Sequence, residues 1–180
     1  IDTYKPAVMA AALTAGASMV NDVRALREPG ALAVLRGSDA AVCLMHMQGE
    51  PASMQSDPSY SDVIADVRDF LDARIAACLA EGIPRDRICI DPGIGFGKRL
   101  EHNLALLAGL ARIGEPSLPI VVGVSRKSLV GIITGRPPAV HGIAGNYFYD
   151  PATKTEVMMN DAKFLRAPTI MQAFHDAGAK

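Results

Sequence analysis

The sequence predicts an α/β protein built around a parallel sheet. Three observations predict it: short apolar runs alternate with segments of helical spacing, one run is apolar throughout, and polar residues follow the runs where strands would end. In a β/α barrel or an open α/β sheet, such strand ends build the functional site. At 180 residues the chain suits one domain, although it is shorter than the roughly 250 residues of a complete eightfold barrel.

The composition argues against several classes of function. Eighteen basic and nineteen acidic side chains nearly cancel, so a general affinity for nucleic acid or a membrane is not expected. Three cysteines without a close Cys/His pattern indicate reduced thiols in a cytoplasmic protein and no zinc site. No apolar stretch reaches the ~18 residues of a membrane span, and Ile1 begins in the middle of a pattern. We therefore expect a soluble chain that starts late.

The first part of the chain repeats the strand and helix pattern three times. Pro6 is well placed to start a helix, and the run 40–45 is apolar as in a strand buried on both faces. The predicted elements are a strand end at 1–3, a helix at 6–15, a strand at 17–20, a helix at 29–36 and a strand at 40–45.

A long polar loop and the clearest helix come next. The segment 50–60 is longer than usual for such a connection, which favours a lid or substrate loop. From Val63 to Leu79 apolar residues recur on one face with helical period, and Ser59 or Ser61 is a predicted N-cap.

The stretch Asp91 to Lys98, DPGIGFGK, joins a short β-branched strand to a helix predicted over 104–113. Its three glycines permit backbone angles that bring main-chain N–H groups close to a ligand. A tight turn that needs glycine explains the stretch equally well. Its position at one of several polar strand ends favours the functional interpretation.

A further strand is predicted over 119–124, with Ser125, Arg126 and Lys127 at its end. These three residues resemble an anion site at a helix start, although a basic pair is usually a solvated face. From Ala139 the regular alternation stops, so we predict an irregular C-terminal tail.

Convergence of Asp2, Asn21 and Asp91 would offer two carboxylates and an amide, which suits a flat heterocycle rich in N–H donors. Asp22 is more simply a helix N-cap. For His46 a general base and a hydrogen-bonded core histidine stay open, and it is left out of the catalytic set. Met45 and Phe96 could pack a core or sandwich a ring.

Five motifs resemble those of dihydropteroate synthase: IDTYKP, NDV, CLMHMQGEPASMQ, DPGIGFGK and SRKS, in this order and spacing, from Ile1 to about Arg136. The resemblance implies a partial (β/α)8 TIM barrel that covers strands three to seven of the family. It implies a transferase of folate biosynthesis, which condenses 6-hydroxymethyl-7,8-dihydropterin diphosphate with p-aminobenzoate and releases pyrophosphate. It also implies magnesium as cofactor and sulfonamides as competitors, and it leaves a homodimer open.

The same resemblance assigns roles to residues of this sequence. It implies that Asp91 and Lys127 are catalytic, and that Ser125 and Arg126 lie near the aminobenzoate. The implied pterin-binding residues are Asp2, Asn21, Met45, Asp91, Phe96 and Lys127.

Two departures from the family give the alternatives. The first two strands, with the residue that the family uses near magnesium, and the last strand are not recognised, so a non-catalytic pterin-binding remnant is the second hypothesis. Residues 137–180 resemble the early part of phosphonoacetate hydrolase, and a zinc-dependent hydrolase fragment is the third. The predicted domains are therefore 1–136 and 137–180.

Overall fold

The structure is a computed structural model of the chain. It describes residues 1–50, 54, 56–114 and 118–123, together with the backbone of 147–150 and 155–158. The chain divides into two units, Ile1–Gly123 and Val124–Lys180, and each is treated by itself. Among the described residues no helix is both long enough and apolar enough to cross a membrane.

The first unit alternates helices and strands from its start. Short 3-10 turns lie at Arg85–Arg87, before the last strand of this unit, and at Leu110–Arg112, after its last helix. The elements are α1 (Pro6–Thr14), β1 (Met19–Asp22), α2 (Ala31–Arg36), β2 (Ala41–Met45), α3 (Val63–Ala80), β3 (Ile88–Asp91) and α4 (Leu100–Ala108).

The three strands form a parallel sheet in the order β1-β2-β3. Parallel bridges extend it at both edges, from Asp2 to Asn21 and from Ile90 to Ile120. Neighbouring strands are therefore also neighbours in sequence, joined by crossovers through α2 and α3. The predicted α/β fold with a parallel sheet is confirmed.

Burial on both faces explains why β2 is apolar along its length. Val42 and Leu44 point to one face of the sheet, and Cys43 and Met45 point to the other. All four side chains are buried. The long helix α3 packs against this strand and buries its apolar stripe: Val63, Ile64, Val67, Leu71, Ile75 and Cys78.

Several predicted boundaries differ from those observed; the strand predicted over 17–20, for example, is β1 at Met19–Asp22. The helix predicted over 104–113 begins earlier, at Leu100, and ends at Ala108 before a 3-10 turn. The strand predicted over 119–124 is present among the described residues only as the bridge at Ile120. Propensity defines the apolar centre of an element better than its ends, because caps and tertiary contacts set the ends.

The tail contains regular structure that the sequence did not predict. β4 (Tyr147–Asp150) pairs antiparallel with β5 (Thr155–Met158), with Asp150 opposite Thr155. The irregular-tail prediction is therefore wrong for these eight backbone positions. Aromatic residues in the run 147–150 and β-branched residues in the run 155–158 were the signal for strands.

The N-cap of α3 is Asp62, and the prediction of Ser59 or Ser61 is wrong. The Asp62 carboxylate accepts hydrogen bonds from the N–H groups of Ile64 and Ala65 at 2.9 and 3.2 Å. Aspartate satisfies two donors here and also complements the positive end of the helix dipole.

Asp62→Ala is expected to lower the free energy of unfolding by about 1 kcal/mol, because both N–H groups lose their partner. Denaturant unfolding measures it. Asp72→Ala, on the exposed middle of the same helix, is the matched control and should change stability by less than about 0.5 kcal/mol. Equal effects of the two substitutions would contradict the cap.

Candidate functional site

The strand-end cluster consists of Asp2, Asn21, Met45 and Asp91, at the carboxyl edge of the sheet. Asp2 lies opposite Asn21, and Met45 lies opposite Asp91. Asn21 lies opposite Cys43, two residues before Met45. Since side chains alternate along a strand, all four members of the cluster project from one face. The structure thus brings together four of the predicted site residues.

Asp91 is the buried member of the strand-end cluster, with 4% of its surface exposed. Its Oδ1 accepts the N–H of Gly93 at 2.7 Å, and the N–H of Gly123 also donates to the carboxylate. Burial raises the pKa of Asp91, and the two N–H groups and the Lys98 charge oppose this rise. An acceptor with spare lone pairs is thereby held at the end of β3.

Asp2 is exposed and Asn21 is half-buried, so these two residues form the open side of the cluster. The Cys43 thiol lies within electrostatic reach of both carboxylates. A hydrogen bond with Cys89 and burial raise the pKa of Cys43, and the charges of Asp91 and Asp2 raise it further. Asp2 and Asp91 therefore approach the same patch of the sheet.

Cys43 and Cys89 form the floor of this patch and were not predicted as part of it. They lie opposite each other on β2 and β3, and both are buried. The signal was available in the sequence. Each precedes a predicted site residue by two positions, and period-two alternation places such residues on one face.

Two glycines of the DPGIGFGK loop pack against the loop that follows β2. A Cβ on Gly93 would lie 1.9 Å from the His46 carbonyl oxygen, and one on Gly97 would lie 2.4 Å from that of Gln48. Both residues have positive φ, at 68° and 60°. Contact between loops therefore requires these glycines, whether or not a ligand binds.

His46 is a hydrogen-bonded core histidine, which decides between the two interpretations left open. It is 6% exposed, and its ring meets that of Phe70 edge-on at 5.0 Å. Burial and the Lys98 charge lower the pKa of His46 to about 3. Its Nδ1 is occupied by Lys98 Nζ at 2.9 Å, and so low a pKa makes the imidazole a weak proton acceptor, which argues against a general base.

Stability should fall in acid because His46 stays neutral in the folded state. Its pKa is lowered from 6.5 to about 3, so the unfolded chain binds more protons between these values. The contribution is present above pH 6.5 and is lost as pH falls toward 3.

Between pH 7 and pH 5 the loss should be about 2 kcal/mol. Urea unfolding at both values measures it. In His46→Asn, whose amide oxygen takes the place of Nδ1, this part of the acid destabilisation should disappear. A variant as acid-sensitive as the wild type would contradict the assignment.

The predicted lid or substrate loop is tied to its neighbours. The Gln48 amide donates to the Ser59 carbonyl and accepts its N–H, at 2.7 and 3.0 Å. The Tyr60 hydroxyl donates to the Gly97 carbonyl at 2.7 Å. The Gln48 bonds close the two ends of the loop onto each other, and the Tyr60 bond joins the C-terminal end of the loop to the glycine stretch.

Asp22 caps the turn that follows β1, and the prediction of a helix N-cap is wrong, since the next helix, α2, has Gly30 at its N-cap. It is fully buried, and its carboxylate accepts the N–H groups of Arg24 and Leu26, both at 2.8 Å. Ala25 and Leu26 adopt positive φ in this turn. By alternation Asp22 also points away from the face that carries Asn21.

Some predicted site residues cannot be placed in the site. Ser125, Arg126 and Lys127 lie outside the described residues. Phe96 is described, and its half-buried position in the glycine loop allows a ligand contact. Within the described ranges, no three His, Cys, Asp or Glu side chains are grouped so that they could hold a metal ion.

Comparison with known proteins identifies relatives over most of the chain. A family described as "Pterin binding enzyme" matches residues 1–160. The dihydropteroate synthase of Escherichia coli K12 is 45% identical over 139 residues, 77% of this chain and 49% of that protein. The chain thus spans about half the length of the curated relatives that it matches.

Two solved structures give the same result. Dihydropteroate synthase of Burkholderia cenocepacia, complexed with 7,8-dihydropteroate, matches with a TM-score of 0.68 at 50% identity, over 77% of this chain and 52% of that one. The Xanthomonas albilineans enzyme with 4-aminobenzoic acid also gives 0.68 at 50% identity, over 75% and 49%.

Proposed function

Because this chain belongs to the family of pterin-binding enzymes, we propose that it acts as a dihydropteroate synthase, a transferase of folate biosynthesis. The reaction joins p-aminobenzoate to 6-hydroxymethyl-7,8-dihydropterin diphosphate and releases pyrophosphate. The observation that carries the proposal is the meeting of Asp2, Asn21 and Asp91 at one edge of the sheet.

The pterin ring presents N–H and amino donors, and this site presents acceptors. Asp91 is the principal one, since it is buried and already oriented by the N–H of Gly93. Asn21 provides an amide and Asp2 a second carboxylate at the open side. Met45 and Phe96 provide apolar contact for the ring. Lys127 donates to a ring carbonyl or nitrogen in this proposal.

The chemical step is a displacement at the exocyclic methylene carbon. The amine nitrogen of p-aminobenzoate forms a C–N bond with its lone pair, the C–O bond to diphosphate breaks, and the amine proton leaves to solvent or to pyrophosphate. The protein needs no covalent nucleophile, because fixing the ring beside the aminobenzoate supplies the geometry. In this proposal Ser125 and Arg126 hold the aminobenzoate.

Magnesium is proposed as the cofactor on family grounds alone. The described residues do not fit a protein-held metal, since no three His, Cys, Asp or Glu among them are grouped to bind one. Hence no step above depends on it. A cytoplasmic location and a homodimer are proposed on the same family grounds. The hydrolase-like role of 137–180 stays a prediction.

The test is pteroate formation by the purified chain with both substrates and magnesium. Product formation supports the transferase. Pterin binding without product would favour the alternative, a non-catalytic pterin-binding protein. Absence of both, in a chain that is folded by circular dichroism, would overturn the proposal. Zinc-dependent phosphate release from phosphonoacetate would instead support the hydrolase hypothesis for the tail.

A further inference from the structure

Lys98 is a buried lysine at the end of the glycine loop, and only 3% of it is exposed. Four acceptors surround its Nζ. They are Nδ1 of His46 at 2.9 Å, the carbonyl oxygens of Gly93 and Phe96 at 3.0 Å each, and that of His46 at 3.3 Å. Lysine is almost never this buried without a partner set of this kind.

The acceptor set favours a charged amine. An ammonium group has three N–H donors and no lone pair, so it can serve these four acceptors, with one N–H shared between two of them, and it repels none. A neutral amine would direct its lone pair at a carbonyl or at the ring nitrogen. Burial lowers the pKa of Lys98 to about 7, and the Asp91 carboxylate opposes that shift.

Lys98 links the two loops on which the proposed site depends. Its partners lie in the DPGIGFGK loop and at the end of β2, where His46 also accepts through its backbone. A Cβ added to Gly93 would lie 3.4 Å from Nζ, and the N–H of the same Gly93 donates to Asp91. The ammonium group thus holds the carbonyl of the same residue whose N–H orients the carboxylate.

We propose that Lys98 is a positioning residue for the pterin site: its ammonium group fixes the glycine loop against β2 and adds a positive charge beside the Asp91 carboxylate, which the N–H of Gly93 orients. This inference rests on the proposed function. The groups that face Asp91 are the Lys98 ammonium, the N–H groups of Gly93 and Gly123, and the thiols of Cys43 and Cys89. Among these described groups Lys98 alone carries a positive charge.

The test compares Lys98→Gln with wild type. Glutamine keeps two N–H donors for the carbonyl oxygens but carries no charge, so it separates hydrogen bonding from charge. We expect the pH below which pterin binding fails to rise by about one unit, because Asp91 then takes up a proton more readily. At a pH in the acid range where binding is failing, the affinity of Lys98→Gln for pterin should be about tenfold lower than that of wild type.

Arg36→Met is the matched control, since it removes one positive charge from an exposed position on α2. The pH below which this variant fails to bind pterin should match that of wild type. If Lys98→Gln binds pterin more weakly but binding fails at the same pH as in wild type, Lys98 has only a structural role. That result would overturn the proposal.

A measurement on the wild type keeps the proposal testable if Lys98→Gln does not fold or if no pterin binds. The 13C shift of Lys98 Cε, assigned through the backbone, reports the charge of its amine. At pH 6 it should report an ammonium group, and the Asp91 carboxyl carbon should report a carboxylate. A neutral amine or a protonated Asp91 at that pH would overturn the proposal, independently of the proposed function.

Discussion

Asp91→Asn is expected to weaken pterin binding by at least about 100-fold and to abolish product formation. Asparagine keeps the shape and an acceptor for the Gly93 N–H, but it replaces a charged acceptor by a neutral one. Charge-assisted hydrogen bonds are worth roughly 1.5–3 kcal/mol each, and a buried site loses them without compensation from water. Titration calorimetry with a pterin measures the loss.

The stability of Asp91→Asn separates a binding defect from a folding defect. Because burial raises the pKa of Asp91, the carboxylate opposes folding at neutral pH, and the amide removes that cost. The amide also leaves the Gly123 N–H without its acceptor, so the free energy of unfolding should stay within about 1 kcal/mol of that of wild type. Asp39→Asn, exposed before β2, is the control and should bind normally. If Asp91→Asn binds pterin with wild-type affinity, Asp91 is not a pterin-binding residue.

Gly93→Ala is expected to be the most destabilising substitution proposed for this chain, lowering the free energy of unfolding by more than about 4 kcal/mol. The added Cβ would lie 1.9 Å from the His46 carbonyl oxygen, which belongs to the backbone and cannot rotate away. The two strand-end loops would have to separate, and the Lys98 bonds that join them would break.

Gly82→Ala is the matched control for Gly93→Ala. Gly82 has φ +83°, similar to the +68° of Gly93, but an added Cβ meets nothing within 4 Å. It should cost only the left-handed strain, about 1 kcal/mol. The difference between the two variants isolates the clash, and denaturant unfolding measures both. Similar losses would show that the loops do not pack as described.

The sequence was most informative where periodicity and buried faces decide the structure. The strand 40–45 was predicted from unbroken apolarity, and β2 occupies Ala41–Met45. Asp2, Asn21 and Asp91 were predicted to converge because parallel strands collect their carboxyl ends at one edge, and the register places all three on one face at that edge. Such inferences need only the alternation of side chains along a strand and the order of strands and helices in the sequence.

Contacts between distant residues were beyond the sequence. Nothing local distinguishes Lys98 from a solvated lysine, because two of its four acceptors belong to His46, about fifty positions earlier. The interpretation of the glycines was incomplete for the same reason, since the carbonyl groups that exclude a side chain belong to His46 and Gln48. The choice of Asp62 over Ser61 as cap depends on where the backbone enters α3.

The most direct test of the central claim is calorimetric titration of the wild-type chain with 6-hydroxymethylpterin at neutral pH, before any chemistry. If the strand-end cluster is a pterin site, the titration should saturate at one pterin per chain, and Asp91→Asn should remove the heat while Asp39→Asn keeps it. A folded wild-type chain that gives no saturable heat at millimolar pterin would contradict the claim.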